Sequence, residues 1–229
     1  FVDPNSPTGI YFIDPVPKGR NFTYYRTGSA ASRMSSISSS QTILARTAIL
    51  HLSAITQAIS IAPNEPSFEA IDIVKKNGGR ISYDTNLRLN LWGLEEARRV
   101  INKTLTQADI LLPSLDEAQI LTGLDNKEDI LNFYLQFEPE ILALKCGSEG
   151  AIVIFEGRKE YIPALKVNAI DTSGAGDTFA GAFLAQIIQG ESPFEAARFA
   201  VVASGISVQG YGAMAPIPNR KQVLRAMAR

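Results

Sequence analysis

Hydrophobic residues along the chain occur in two kinds of pattern, short continuous runs and stripes with helical spacing. The runs predict strands at 49–53, 80–84, 110–112, 141–145 and 151–155. A further strand at 159–162 is predicted to pair with 151–155 through the turn 156–158. The stripes predict helices at 67–76, 94–105, 115–122, 178–189, 194–207 and 220–227. Strands that alternate with amphipathic helices are typical of an α/β fold, with a mostly parallel central sheet and helices on both faces.

The start of the chain has a different pattern. Two runs rich in β-forming residues, 9–13 and 21–26, are separated by a Pro- and Gly-containing turn and predict a hairpin. We interpret residues 1–34 mainly as this small β lid and its return to the core, and 35–229 as the α/β core of a single domain. The serine-rich stretch 35–40 is short and runs into apolar residues, which favours helix capping over a linker.

Composition excludes several classes of function. A chain of 229 residues that is 45% hydrophobic can bury a full core without disulfides or metals. Its net charge of −1 argues against nucleic acid or an acidic membrane as partner. No apolar run approaches the roughly 20 residues that span a bilayer, and the first residues do not resemble a signal peptide. The single cysteine, Cys146, cannot form an intramolecular disulfide, so we expect a cytoplasmic protein.

The segment with the most chemical content is DTSGAGD at 171–177, directly before an apolar helix. Glycines at a helix start let backbone N–H groups converge on an anion, where the helix dipole adds partial positive charge. An acidic residue there disfavours anion binding alone but is suited to take a proton from an attacking hydroxyl. Asp177 is therefore a candidate general base, although spacing alone is equally consistent with a helix cap.

Three further segments follow predicted strands. YDTNLRLNLW at 83–92 offers Arg88, which can bind a carboxylate or phosphate through two hydrogen bonds. Taken alone, it is better explained by a core Trp92 and a surface Arg88. LKCGSEG at 144–150 is a strand that runs into a glycine turn. SLDE at 114–117 has the pattern of a capping box, with Ser114 as N-cap and Glu117 at the third position.

DTSGAGD, continued by TFAGAF at 178–183, resembles the C-terminal signature of the ribokinase-like (PfkB) carbohydrate kinases. The resemblance implies a ribokinase-like fold, ATP as the phosphoryl donor and Mg²⁺, and it leaves room for a monovalent cation. It makes Asp177 the catalytic base and assigns Gly174, Ala175 and Gly176 to the anion hole for the transferred phosphoryl group. Every position of the signature matches.

The other segments fit branches of the same family. The pattern from Asp84 to Trp92 resembles both 2-keto-3-deoxygluconate kinases and fructokinases. YYRTGSAAS at 24–32 resembles the lid strand of the former, which implies that Tyr24 and Arg26 contact a sugar acid. Tyr11 is a weaker candidate, since an exposed edge hairpin explains it equally well. Arg88 and Asp177 complete the expected substrate site.

The resemblance also implies a nucleotide site. Its expected members are Asn86, Arg88, Ser114, Lys145, Gly147, Ser148, Gly150, Gly174, Gly176 and Ala203. Ala203 is included because the helix 199–205 and the loop 210–213 resemble the segments that pack against adenine, although a small-residue core helix fits these residues as well. Glu117 is expected to act on Mg²⁺ only indirectly, through water, because Ser114 stands where the family often has Asn; capping explains Glu117 equally well.

The sequence thus predicts ATP-dependent phosphorylation of a sugar acid, 2-keto-3-deoxygluconate, at its 6-hydroxyl. A fructokinase or another PfkB sugar kinase is the alternative within the family. The resemblance begins near Gly9 and implies that the family's N-terminal glycine-rich sugar-binding segment and first strands are missing. An inactive nucleotide-binding fragment is therefore an alternative of another class. A homo-oligomer is expected only by analogy with lid-mediated dimers of relatives.

Overall fold

The computed structural model describes residues 2–16, 19–34, 37, 40–60 and 65–228. Its first element is an antiparallel hairpin of β1 (Ile10–Val16) and β2 (Gly19–Tyr25). The hairpin register places Tyr11 opposite Tyr24, so these two side chains share a face of the ribbon. The hairpin is therefore the predicted one, with Pro17 and Lys18 of its turn outside the described residues.

The second sheet has six strands in chain order. They are β3 (Ile49–Ser53), β4 (Arg80–Asp84), β5 (Ile110–Leu111), β6 (Ile141–Lys145), β7 (Gly150–Phe155) and β8 (Arg158–Pro163). The strands from β3 to β6 are parallel, and β7 and β8 continue the sheet antiparallel. The apolar runs at β4, β5 and β6 follow from this position, because a parallel strand covered on both faces is apolar along most of its length.

Helices lie on both faces, as the sequence predicts. In the described residues they are α1 (Gln41–Leu44), α2 (Ala54–Ala58), α3 (Glu65–Lys76), α4 (Leu94–Leu105), α5 (Leu115–Thr122), α6 (Lys127–Leu135), α7 (Ala175–Ile188), α8 (Pro193–Ser207) and α9 (Arg220–Met227). One buried cluster joins the sheet to helices from α3 to α6, and a second joins it to α7 and α8. None of these helices has the length and apolar character needed to cross a membrane.

Three details differ from the sequence prediction. The α2 helix has no counterpart in it, because five residues are too few to show a helical stripe. The α6 helix has none either, because 127–135 mixes charged and apolar residues over little more than two turns. Of the serine-rich stretch, Ser35, Ser36, Ser38 and Ser39 lie outside the described residues, and Ser40 precedes α1 without a capping hydrogen bond from its side chain.

Candidate active site

Alternation along the strands decides which polar side chains meet. In β6, Leu142 and Leu144 face the cluster around α4, whereas Ile141 and Ala143 face α7 and α8. Since side chains two positions apart share a face, Lys145 at the end of β6 lies on the α7 face. By the same alternation, Asp84 at the end of β4 lies on that face too, because Tyr83 belongs to the opposite cluster. The carboxyl ends of parallel strands thus bring charged groups together beside the start of α7.

Asp84 and Lys145 form a buried ion pair at this end of the sheet. Lys145 Nζ donates to Asp84 Oδ2 at 2.5 Å, and the side chains are only 9% and 4% exposed, respectively. The family resemblance implies a place for Lys145 in the nucleotide site, whereas no role was predicted for Asp84. The sequence feature that could have indicated Asp84 is its position as the last residue of a predicted strand, where ligands bind in this class of fold.

Arg88 and Glu117 form a second ion pair beside the first. Arg88 Nη1 lies 2.9 Å from Glu117 Oε1, and the hydroxyl of Thr85 is 3.5 Å from the other carboxylate oxygen. Burial raises the pKa of the Glu117 carboxyl, and nearby Asp84 raises it further, against the opposing influence of Lys145 and Arg88. Burial lowers the pKa of Arg88, but Glu117 and Tyr24 outweigh it and leave that pKa above its usual value.

The capping box at 114–117 is therefore a wrong prediction. Ser114 occupies the N-cap position of α5, but its side chain accepts no capping hydrogen bond. Glu117 instead turns to Arg88, whose guanidinium offers a full positive charge and a donor geometry that matches a carboxylate. The turn that directs Arg88 begins at Asn86, which has a φ of 26°. The backbone N–H of Asn86 donates to Asp84 Oδ1 at 3.2 Å.

The start of α7 forms the predicted glycine cradle. Gly174 is its N-cap and adopts a left-handed φ of 70°. Asp171 anchors the preceding loop: its two carboxylate oxygens accept the N–H groups of Ser173 at 2.7 Å and Gly212 at 2.9 Å. Asp177 is the third residue of α7 and is exposed to solvent. Because Gly174 is the N-cap, the alternative of Asp177 as a cap does not hold.

Unpartnered hydroxyls flank this cradle. Ser173 and Thr178 are 7% and 6% exposed, respectively, and their side-chain oxygens have no hydrogen-bond partner among the described residues. Ala175 is tied to α8, because the hydroxyl of Ser204 donates to its carbonyl oxygen at 3.0 Å. The cradle is thus fixed from two sides while some of its own polar groups have no protein partner.

His51, on β3, is a neighbour of the site for which the sequence predicted no role. Its Nδ1 lies 3.0 Å from the hydroxyl of Ser82. Burial lowers the pKa of His51 and Lys145 adds to this, whereas Asp84 and Asp177 oppose it. A good part of the residue remains exposed, so solvent weakens these effects. An isolated histidine in a strand gave no sequence pattern by which to select it.

A cavity of about 490 Å³ opens next to the cradle. Six of the residues assigned to the nucleotide site line it: Ser114, Lys145, Gly147, Ser148, Gly150 and Gly176. The facing wall consists of residues 164–169 and the second half of α8. Its size and mixed polar and apolar lining are those of a small-molecule site.

The other residues assigned to the nucleotide site lie elsewhere. Within the described part of the chain, Asn86, Arg88 and Gly174 are not in the cavity wall. Ala203 is 3% exposed and packs with Phe199 of α8 and Val223 of α9. The side chain of Ala203 therefore belongs to the packing of α8 against α9, and the prediction that it contacts the nucleotide is not supported.

The lid residues form one connected group. The rings of Tyr11 and Tyr24 are 6.0 Å apart, and the guanidinium of Arg26 is 5.7 Å from the Tyr11 ring. Tyr24 also hydrogen-bonds Arg88 of the core. Three predicted lid residues and Arg88 are thus brought together across the junction of the two sheets.

The acidic residues of the site, Asp84 and Glu117, fit a metal ion that takes most of its ligands from water and phosphate oxygens. Among the described residues no group of three acidic, His or Cys side chains is placed to hold a metal. Asp84 is close enough to Glu117 for its charge to raise the pKa of the Glu117 carboxyl. Mg²⁺ commonly binds through one or two carboxylates, with water and phosphate oxygens as its other ligands.

Comparison with known proteins agrees with this geometry. A family model described as pfkB family carbohydrate kinase matches residues 2–220. The chain is 36% identical to 2-dehydro-3-deoxygluconokinase of Thermoproteus tenax, over 99% of this chain and 71% of that protein. It is 32% identical to fructokinase-1 of Oryza sativa subsp. japonica, over 98% and 72% respectively. A solved fructokinase from Vibrio cholerae O395, with fructose, ADP and calcium ion bound, matches with a TM-score of 0.85 and 26% identity, over 97% of this chain and 74% of that one.

Proposed function

The chain belongs to the pfkB family of carbohydrate kinases, and from that premise we propose that it phosphorylates 2-keto-3-deoxygluconate at its 6-hydroxyl, with ATP as donor. The observation that carries the choice of a sugar acid is the lid group of Tyr11, Tyr24 and Arg26, which Tyr24 joins to Arg88. A sugar acid carries a carboxylate that needs a cationic partner, whereas a neutral hexose does not. The same substrate, as 2-dehydro-3-deoxygluconate, is in the name of the relative from Thermoproteus tenax.

The proposed reaction uses the exposed carboxylate of Asp177 as general base. Asp177 takes the proton from the 6-hydroxyl while that oxygen forms a bond to the γ-phosphorus. The bond from the γ-phosphorus to the bridging oxygen breaks, and ADP leaves with its electron pair. The N–H groups of Gly174 and Gly176 then stabilise negative charge on the moving phosphoryl group. The predicted contribution of Ala175 is not supported, because its N–H donates to the carbonyl oxygen of Thr172 at 3.2 Å.

Positioning supplies much of the catalysis in this proposal. The cavity orients ATP toward the start of α7, and the lid group holds the sugar acid over the same helix terminus. A magnesium ion associated with Asp84 and Glu117, in part through water, would neutralise charge on the phosphates. Arg88 lies between the lid and these carboxylates, so it is placed to contact either the acid or a phosphate.

The test is an ADP-release assay with Mg-ATP that compares 2-keto-3-deoxygluconate, fructose and ribose at equal concentrations. We expect kcat/KM for the sugar acid to exceed that for either neutral sugar by at least tenfold. Preference for fructose would overturn the choice of substrate and leave the sugar-kinase assignment in place. ATP binding without turnover of any of the three sugars would favour a nucleotide-binding fragment.

Fructokinase is the second candidate because a specific segment favours it. The residues from Asp84 to Trp92 resemble fructokinases as well as sugar-acid kinases, and the rice fructokinase is 32% identical. In that case Arg26 would have no carboxylate to bind. The assay above therefore separates the two candidates directly.

A further inference from the structure

Lys145 has an unusual position for a lysine. Its side chain is only 9% exposed, and it follows Ile141 and Ala143 on the face of β6 that packs against α7 and α8. It therefore extends from the edge of the apolar core into the wall of the 490 Å³ cavity. Burying a lysine is costly unless its charge is compensated.

The ammonium group of Lys145 lies against the glycine cradle. A Cβ atom placed on Gly176 would be 3.4 Å from Lys145 Nζ. Gly176 is the second residue of α7, where free backbone N–H groups and the helix dipole produce positive potential. A cation beside a positive helix terminus is electrostatically unfavourable by itself, and together the two attract an anion strongly.

Asp84 supplies the compensating charge in this structure. Its carboxylate is 2.5 Å from Lys145 Nζ and uses only one of the ammonium's three donor directions. Lys145 also lies within the electrostatic reach of Glu117, whose pKa it lowers. Asp84 thus orients the ammonium group, which can still donate hydrogen bonds to acceptors in the cavity.

We propose that Lys145 is a further catalytic residue whose ammonium binds the β- and γ-phosphates of the nucleotide, and that Asp84 is the residue that positions it. The inference rests on the proposed function for the identity of the nucleotide as ATP. The alternative is that Lys145 only neutralises Asp84 inside the core. The two explanations differ in whether loss of the ammonium weakens binding of the terminal phosphates.

The experiment is calorimetric titration with AMP, ADP and a non-hydrolysable ATP analogue, each in EDTA and without sugar, so that the metal ion proposed beside Asp84 makes no contribution. For Lys145→Met we expect ADP and the analogue to bind about 10- to 100-fold more weakly, the usual effect of losing one charge-assisted hydrogen bond. AMP, which lacks the β- and γ-phosphates, should bind within threefold of its wild-type affinity. Lys159→Met is the matched control, because Lys159 forms an exposed ion pair with Glu128 at 2.7 Å on the same sheet.

A second variant guards against misfolding of Lys145→Met, which leaves Asp84 buried without its partner. The double variant Asp84→Asn/Lys145→Met removes both charges, and we expect it to show the same loss of ADP and analogue affinity. Asp84→Asn alone keeps the ammonium and should lose less. If Asp84 acts through Lys145, adding Asp84→Asn to Lys145→Met costs less than a further threefold.

The outcomes separate this inference from the proposed function, because binding requires no acceptor sugar. A wild-type protein without sugar turnover that still shows the Lys145 effect would overturn the function and support the inference. The inference itself is overturned if both variants bind ADP and the analogue within threefold of wild type. Equal weakening for AMP, or no binding of any nucleotide by the wild-type protein, would overturn it as well.

Discussion

Gly174 combines two constraints that only glycine meets. Its φ of 70° lies in the left-handed region, and an added Cβ would lie 3.0 Å from both the carbonyl oxygen and the Cβ of Ala213. The first constraint costs roughly 1–2 kcal/mol for a residue with a side chain. The second would push the loop 210–213 away from the cradle that Asp171 ties to it.

Gly174→Ala is therefore expected to lower the melting temperature and reduce kcat together, because the same strain disturbs the fold and the anion hole. Gly181→Ala on the exposed side of α7 is the matched control, since nothing lies within 4 Å of its added Cβ. That control should be neutral or stabilising by roughly 0.5–1 kcal/mol, the usual gain from replacing a helical glycine. Thermal unfolding and steady-state kinetics of the two variants check the prediction, and equal behaviour would contradict it.

Asp177 is the residue on which the proposed chemistry depends most. Asp177→Asn keeps the size of the side chain and removes its ability to accept the hydroxyl proton. We expect kcat to fall by about 10²–10⁴-fold, the usual contribution of a general base. The exposed position of the side chain means that ATP binding and stability should hardly change. Single-turnover kinetics measure the first effect and calorimetry the second; a near-normal rate would rule out the assigned role.

Among the elements, the helix starts show how local patterns and distant charges compete. At α9, Asn219 accepts the backbone N–H of Gln222, and the Gln222 side chain reciprocates, which makes a complete capping box. At α5, Ser114 and Glu117 have the sequence of such a box, but Arg88 takes the carboxylate. The contact with Arg88 joins positions 29 residues apart in the chain, so the sequence pattern at 114–117 gives no sign of it.

This difference predicts losses of different size for two similar substitutions. Asn219→Ala should lower the free energy of unfolding by about 1 kcal/mol, the usual cost of losing an N-cap. Ser114→Ala should change it by less than half of that, because its hydroxyl makes no capping bond. Urea unfolding of both variants measures the difference. An equal loss for the two would mean that Ser114 does cap α5 in solution.

The lid hairpin provides the second prediction at this scale. Arg26→Leu removes the cation that the proposal places on the sugar carboxylate. We expect KM for 2-keto-3-deoxygluconate to rise by about 10- to 100-fold, as for loss of a charge-assisted hydrogen bond, with KM for fructose within threefold. Arg99→Leu is the control, because Arg99 is exposed on α4 and pairs with Glu96 at 2.6 Å. An equal rise for acid and hexose would count against the role of Arg26.

At the scale of the whole molecule, the order of elements was largely predictable from the sequence, and much of the site was not. The central strands were visible because they are short apolar runs between turn residues. The DTSGAGD segment was visible because its residues are contiguous. The pairing of Asp84 with Lys145 joins positions 61 residues apart, and it depends on strand order and on which face each strand presents. Such contacts follow from tertiary structure and leave no local pattern.

The cavity is itself a product of the whole fold, because β6, the 164–169 segment, α7 and α8 all contribute to its wall. A ligand that requires all of these elements binds the folded chain only, so it should stabilise the protein as a unit. At 100 times its Kd, the Mg²⁺ complex of an ATP analogue is expected to add about 2.7 kcal/mol. For a chain of this length that corresponds to a rise in Tm of roughly 5–10 °C.

Thermal scans with and without the analogue measure this stabilisation. AMP, added at 100 times its own Kd, is the reference ligand. Asp177→Asn should show the same rise as wild type, since its carboxylate serves the acceptor hydroxyl and not the nucleotide. Adding 2-keto-3-deoxygluconate should raise Tm further in both proteins, because the lid group and the cavity are separate parts of one fold. No response to the analogue in the wild-type protein would mean that the cavity does not bind nucleotide. A rise confined to the wild type would mean that Asp177 takes part in nucleotide binding.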